Sequence, residues 1–290
     1  MRTYVRYSPR VTSVDSRRGR DAPTLRWRLV DEDSAQPQLF EERGWIPGRD
    51  ELAGIELLHV RAQSMVNRVP EGSVVPFRWT INPYRGCTHA CVYCFARPTH
   101  EYLGLDVGRD FERRIVVKVN AVERTAADLS TARWAREHVA MGTNTDPYQL
   151  VESRYRLTRG LIGVLAEHDT PFSILTKSPL ILRDEDVLGA AAERVDVATA
   201  LSIGTLDAEV ARITEPQAPS PQKRLEAVAR LNDSGLACGV LIAPVIPGLT
   251  DNDPSIERLV RAALDAGATS VSAVLLHLRP GVREHYLAWL

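Results

Sequence analysis

Cys87, Cys91 and Cys94 fall within eight residues, with three residues and then two between them, in a chain of 290 residues that has four cysteines in all. A disulfide framework spreads its cysteines over the loops it staples, so this crowding points to metal ligation. Thiolates are the usual ligands of iron–sulfur clusters, and a full structural set has four of them. Three on one short loop leave one iron of a cubane with an open position, which is where a metal centre reacts. Zinc is the alternative, and it would take a fourth ligand from His89, His100 or Cys238. His89 lies inside the loop, where reach to the same ion is awkward. Cys238 opens an apolar run and reads as a small core residue.

Such a loop needs a scaffold. From about residue 76, short apolar runs alternate with segments of helical period. The strand expectations are Phe77–Ile81, Ile115–Val119, Val139–Gly142, Phe172–Thr176, Val197–Ser202, Ala237–Pro244 and Val271–Leu276. Helices are expected near 92–103, 121–137, 151–168, 184–193, 221–234 and 255–266, with Gly235 ending the fifth. Repeated strand-then-helix units imply parallel strands with right-handed crossovers. We read the fold as α/β, a partial TIM-type (β/α)6 barrel spanning 76–290. Residues 1–75 read as an irregular extension, partly disordered at its start, with a short element at Ile55–Val60 that docks on the main domain.

In such a barrel, chemistry belongs at the C-terminal ends of the strands. Polar residues stand there: Thr143, Asn144 and Thr145 after one strand, Lys177 after the next, Ser202 at the end of a third, and His277 and Arg279 after the last; between them Pro244, Pro247 and Gly248 make an irregular strand end that offers backbone atoms. Asp146 reads as a turn initiator and helix cap. Arg279 suits a phosphate or carboxylate, or the surface.

The runs NPYRGCTHACVYCFAR, IVVKVN, MGTNTDPYQ and ILTKSP resemble the radical S-adenosylmethionine superfamily, in the branch related to spore photoproduct lyase, over about residues 76–285. The resemblance implies a [4Fe-4S] cluster on Cys87, Cys91 and Cys94, with S-adenosylmethionine chelated at the open iron. A reductant such as flavodoxin or ferredoxin supplies an electron. Reductive cleavage then gives a 5′-deoxyadenosyl radical that abstracts hydrogen from a substrate such as nucleic acid or a nucleotide. It also implies roles: Tyr93 near the adenine, Thr143, Asn144 and Thr145 at the methionine amine, Lys177 on the carboxylate and Ser202 at the ribose. One departure matters. Spore photoproduct lyases return a hydrogen atom from a cysteine near the MGTNTD-like segment, and this chain has none between Cys94 and Cys238. Thymine-dimer repair is therefore not carried over, and Tyr84, Tyr102 and Tyr148 become the relay candidates.

The 36 basic and 37 acidic residues nearly cancel, which argues against a polybasic binder. A second reading is a zinc- or cluster-stabilised module that binds nucleic acid without turnover, using arginines such as Arg85, Arg97 and Arg113; an electron carrier ranks last. The N-terminus has no apolar signal core and no stretch suits a membrane span, so a cytoplasmic protein is expected. The closing GVREHYLAWL reads as the opening of an amphipathic helix, with a further helical segment expected after it.

Overall fold

A computed structural model describes residues 27–29, 45–73 and 75–290. The disorder expected for the chain's start falls on residues outside those described, among them a run of basic residues (Arg17, Arg18, Arg20) and one of acidic residues (Asp31, Glu32, Asp33). Before the cysteine loop come strands β1 (Trp27–Leu29), β2 (Trp45–Pro47), β3 (Glu56–Ala62), β4 (Asn67–Arg68), β5 (Trp79–Ile81) and β6 (Tyr84–Arg85). After it come β7 (Arg114–Lys118), β8 (Val139–Met141), β9 (Phe172–Thr176), β10 (Val197–Ser202), β11 (Cys238–Val245) and β12 (Val271–Leu275).

The larger sheet runs β12-β11-β10-β9-β8-β5-β4. Every pair from β5 to β12 is parallel, and only β4 joins antiparallel. Six parallel strands in sequential order, with helices in their crossovers, make the partial TIM-type barrel that the rhythm implied. Among the described residues no pairing joins β12 back to β5 or β4, so the barrel is open. At the open edge Val274 and Leu275 of β12 are exposed.

One expected barrel strand belongs elsewhere. The Ile115–Val119 run forms β7, which pairs in parallel with β3 of the extension and antiparallel with β6. The docking element expected at Ile55–Val60 is thus an integral strand of a second, smaller sheet. Leu57, Leu58 and Val60 pair with a β7 that is buried from Ile115 to Lys118, and an apolar run of this kind is equally at home in either sheet.

The helix expected over 151–168 is two helices, Glu152–Tyr155 and Leu157–Glu167, parted at Arg156 with φ +51. The Glu152 carboxylate takes the Thr158 amide, which ends one helix and starts the other. Leu161, Ile162 and Leu165 of the second helix join Val139, Met141, Phe172 and Ile174 in the main core. The helix Pro221–Asp233 ends as expected, with Gly235 at φ +78. The helices Ala208–Thr214 and Val282–Trp289 complete the site's surroundings. Tyr286 and Trp289 of the latter pack in one cluster with Cys91, Val92 and Tyr93.

Candidate active site

The cysteine loop leaves β6 through Gly86, at φ +82. A Cβ there would come within 2.9 Å of the Phe111 carbonyl, so only glycine lets the loop turn so close to the small sheet. Three clamps then set the loop's shape. The Cys87 amide donates to Phe111 O at 3.0 Å. Gln149, fully buried, donates to Gly86 O and accepts from the Thr88 amide, both at 3.0 Å. Arg97, 0% exposed, donates to the carbonyls of Ala90, Cys91, Val107 and Gly108 and pairs with Glu112 at 2.6 Å. A guanidinium with five donors satisfies several buried carbonyls at once. Arg97 is a loop strut, and it is not available to a nucleic acid. Arg85 donates to Thr99 O, so of the three arginines only Arg113 is exposed. The basic surface that the binding-module reading needs is not formed by them.

Burial pushes the Cys91 thiol up to about 12, and it raises Cys87 and Cys94 as well. Cys87 feels the charge of both other thiols and Cys91 that of Cys94, so the three stand near one another. Without a metal they are neutral thiols; a coordinated metal deprotonates such groups outright. Among the described residues no three His, Cys, Asp or Glu side chains group tightly enough for a single metal ion. Thiolates on separate irons of a cubane need not converge on one point, as tetrahedral zinc ligands do. The donor set therefore fits a cluster. The zinc alternatives also sit apart from the loop's thiols or have other engagements. His100 lies against Phe111 with Nε2 2.9 Å from Arg114 O. His89 Nδ1 lies 3.3 Å from Asp146 Oδ2 without the alignment of a hydrogen bond. Cys238 is a core residue of β11, as its sequence context suggested.

The strand ends supply the facing wall. Gly142, at φ +91, passes over β9 where a Cβ would meet Leu175 O at 2.0 Å. Asn82 then accepts from the Asn144 amide at 3.0 Å and donates to Thr143 Oγ1 at 3.1 Å. Asn144 itself is exposed. The Thr145 hydroxyl donates to Gly86 O at 2.6 Å and accepts from Gln149, so this residue braces the cysteine loop from below. Asp146 accepts from the Tyr148 amide, the turn role expected of it, and also from Thr176 Oγ1 and the Lys177 amide. One carboxylate thus ties the β8 loop to the end of β9.

Sequence reasoning missed the centre of the site. Lys177 Nζ lies 2.9 Å from Glu215 and donates to Ser202 Oγ at 2.7 Å. Glu215 also accepts from the Tyr93 hydroxyl and, at 2.5 Å, from Arg224, whose other nitrogens hold Ser202 O and Pro219 O. Burial alone would raise the Glu215 carboxyl, but the charges of Lys177 and Arg224 hold it down at about 2. The segment reaches the cysteine loop because Val92 donates to Thr214 O and Gln217 to His89 O. Tyr93, Gly204, Thr205, Glu215, Pro244, Ile246 and Thr250 line a cleft of about 240 Å³ including its mouth. Of the sequence-chosen residues Tyr93 lines this cleft, and Lys177, bonded to Ser202, reaches its edge through Glu215. Lys118 was also missed: buried, and donating to Asn82 O at 2.7 Å, it is pushed down to about 7 by burial and by Arg85.

The proposed relay tyrosines are not at this cleft. Tyr84 donates to Glu152, Tyr148 is buried beside Asp184 and Glu152, and Tyr102 is exposed. His277 and Arg279 are exposed, with the Arg279 guanidinium 5.8 Å from the centre of the exposed Phe95 ring.

An open six-stranded parallel barrel, with a cleft at its strand ends and a three-thiol loop beside it, is an α/β architecture that gathers its candidate site at the strands' C-terminal ends. The particular family follows from the sequence: residues 81–261 match the Radical SAM superfamily, and the chain belongs to it. It is an enzyme of that class. A Mycobacterium tuberculosis protein named only as uncharacterized is 46% identical over 237 residues, 82% of this chain and 70% of its own length. A Methanocaldococcus jannaschii protein, likewise uncharacterized, is 29% identical over 68% of this chain and 70% of itself. Among solved structures, spore photoproduct lyase complexed with dinucleoside spore photoproduct superposes with a TM-score of 0.64 at 18% identity, covering 86% of this chain and 72% of that one. A mutant of that lyase with bound AdoMet and the same photoproduct gives 0.59 at 17%, covering 84% and 70%. These likenesses establish the fold. No described helix is long and apolar enough to cross a membrane.

Proposed function

We propose that Cys87, Cys91 and Cys94 hold a [4Fe-4S] cluster, that S-adenosylmethionine binds in the adjoining cleft, and that the substrate is a nucleic acid or nucleotide. The observation that carries the reading is the convergence of Tyr93, Lys177 and, through Lys177, Ser202 on Glu215, which lines a cleft beside the three-thiol loop. When bound, the cluster and its cofactor supply reductive cleavage to a 5′-deoxyadenosyl radical. The chain's own residues bind and orient. Lys177 offers its ammonium to the cofactor's carboxylate, Ser202 fixes that ammonium, and Tyr93 and the backbone at Gly204 and Pro244 wall the nucleoside. Asn82 sets the Thr143–Asn144 turn, whose exposed amide faces the methionine amine, while Thr145 and Gln149 hold the cysteine loop in register. The loop's burial excludes water from the reacting sulfur.

The substrate class is supported by the dinucleoside held by the lyases of the same fold and by the Phe95–Arg279 pair beside Cys94, a stacking surface of the kind bases use. An electron donor of the flavodoxin or ferredoxin kind is part of the same proposal. Anaerobically reconstituted protein should carry iron and sulfide and, with dithionite and S-adenosylmethionine, release 5′-deoxyadenosine. Iron-loaded protein that makes none, while a known radical enzyme does in the same assay, would end this reading. Single-stranded DNA or nucleotides should accelerate that release; indifference to both removes the substrate class alone.

A further inference from the structure

Lys177 has three N–H donors, and three oxygens stand around it. Ser202 Oγ is 2.7 Å away, Glu215 Oε1 2.9 Å and Ala243 O 3.4 Å. The first and last are neutral atoms at the ends of neighbouring strands. Glu215 alone carries charge, so a carboxylate that lines the cleft already sits on this partly exposed ammonium. Glu215 does not depend on Lys177 for its own neutralisation. Arg224, 1% exposed and anchored to two carbonyls, holds Oε2 at 2.5 Å, and the Tyr93 hydroxyl donates to Oε1. Lys177 and Arg224 against Glu215 leave this trio with one net positive charge (two cations less one anion). A second carboxylate would balance it.

We infer that Glu215 is a built-in competitor for Lys177, displaced from it by the carboxylate of S-adenosylmethionine, and that this exchange sets which adenosine ligands the cleft prefers. The inference rests on the cofactor reading of the cleft given above. In the ligand-free protein Glu215 keeps Lys177 ordered and paired. On binding, the cofactor's carboxylate takes Lys177, while Arg224 and Tyr93 retain Glu215. A nucleoside without a carboxylate fills the Tyr93–Pro244 part of the cleft and leaves the Lys177–Glu215 pair intact. Tight binding therefore requires the amino-acid end, and Glu215 sets the threshold that this end must overcome.

The test measures equilibrium binding of S-adenosylmethionine and of 5′-methylthioadenosine, which has the same nucleoside and sulfur but no amino-acid group, to anaerobically reconstituted full-length protein. Glu215→Gln keeps the shape and removes the competing charge. It should tighten S-adenosylmethionine by about threefold to tenfold and leave methylthioadenosine within about twofold. Adding Lys177→Met should abolish the gain, as a double-mutant cycle requires. Glu215→Asp, which keeps the charge but shortens its reach to Lys177, should shift binding in the same direction, and it serves where Glu215→Gln does not fold. Weaker binding of both ligands in the folded variants would make Glu215 a structural brace only, and unchanged affinities for both would equally overturn the exchange. A wild-type protein that binds neither ligand would instead overturn the cofactor reading beneath it.

Discussion

Two buried glutamates in this protein have nearly the same partners and opposite characters. Glu152 accepts from Tyr84, from Arg183 at 2.9 Å and from the Thr158 amide; Glu215 accepts from Tyr93, from Arg224 at 2.5 Å and from Lys177. Burial dominates at Glu152 and raises its carboxyl, whereas two cations overcome burial at Glu215 and hold it at about 2. The difference lies in the count and sharing of charge. Arg183 divides itself between Glu152 and Asp184, while Glu215 has Arg224 and Lys177 together. Glu152 is sealed in a wall and staples two helices. Glu215 lines a cleft, and its second cation is within a ligand's reach. The same glutamate, tyrosine and arginine make a staple in one place and the wall of a cleft in the other.

Removing the sealed carboxylate should have the largest effect. Glu152→Ala leaves Arg183 and Tyr84 without their shared acceptor, and should lower unfolding free energy by about 3–5 kcal/mol in a denaturant titration. A loss under about 1 kcal/mol would put it on a par with a surface pair and dissolve the contrast. Next in size, Lys177→Met should weaken S-adenosylmethionine binding by about tenfold to a hundredfold, the equivalent of about 1.5–3 kcal/mol for a charged hydrogen bond. Its melting temperature should move far less than that of Glu152→Ala; equal melting shifts would mean both sites are staples. Between the two glutamates, Gln149→Ala cuts the clamp on Gly86 and Thr88, at a cost of about 1–3 kcal/mol. Iron retention after gel filtration should fall more than global stability does.

The smallest effect is a slope. A carboxyl held below its ordinary value adds stability above that value and loses it as pH falls towards its folded pKa, here from about 4.5 to about 2. A raised carboxyl does the reverse and favours the fold as it protonates. The deficit of Glu215→Gln relative to wild type should therefore narrow as pH falls from 4.5 towards 2. Glu152→Gln should compare best with wild type near pH 7 and lose ground as pH falls towards 4.5. Melting curves of the three proteins across this range check the signs; parallel gaps would remove the electrostatic distinction.

The thiol loop, Tyr93, Lys177 and Ser202 were legible because each stands at a fixed offset from an apolar strand, and strand ends of a parallel barrel converge. Glu215 and Arg224 were not: Glu215 lies in TEPQAPSP, where no apolar period marks an element, and nothing in the sequence sets Arg224 apart from the other charged residues of the helix expected at 221–234. Arg97 carries a related lesson. Its charge suggested an outward face, but four buried carbonyls in the turns around the cysteines needed donors, and the guanidinium turned inward to supply them. The relay tyrosines failed for the same reason: a phenol's polar tip shows nothing in sequence of whether a buried carboxylate awaits it.

By itself the sequence determined what is local: three thiols at a spacing that one loop must present together, and repeated strand–helix units whose right-handed crossovers make the strands parallel. Tertiary structure alone decided that β7 pairs with the extension and that the barrel stays open. It also decided that Lys177 meets a carboxylate before any ligand does. Sheet membership and ion pairing depend on which surfaces remain to be covered once the core has formed, and that is a property of the assembled chain.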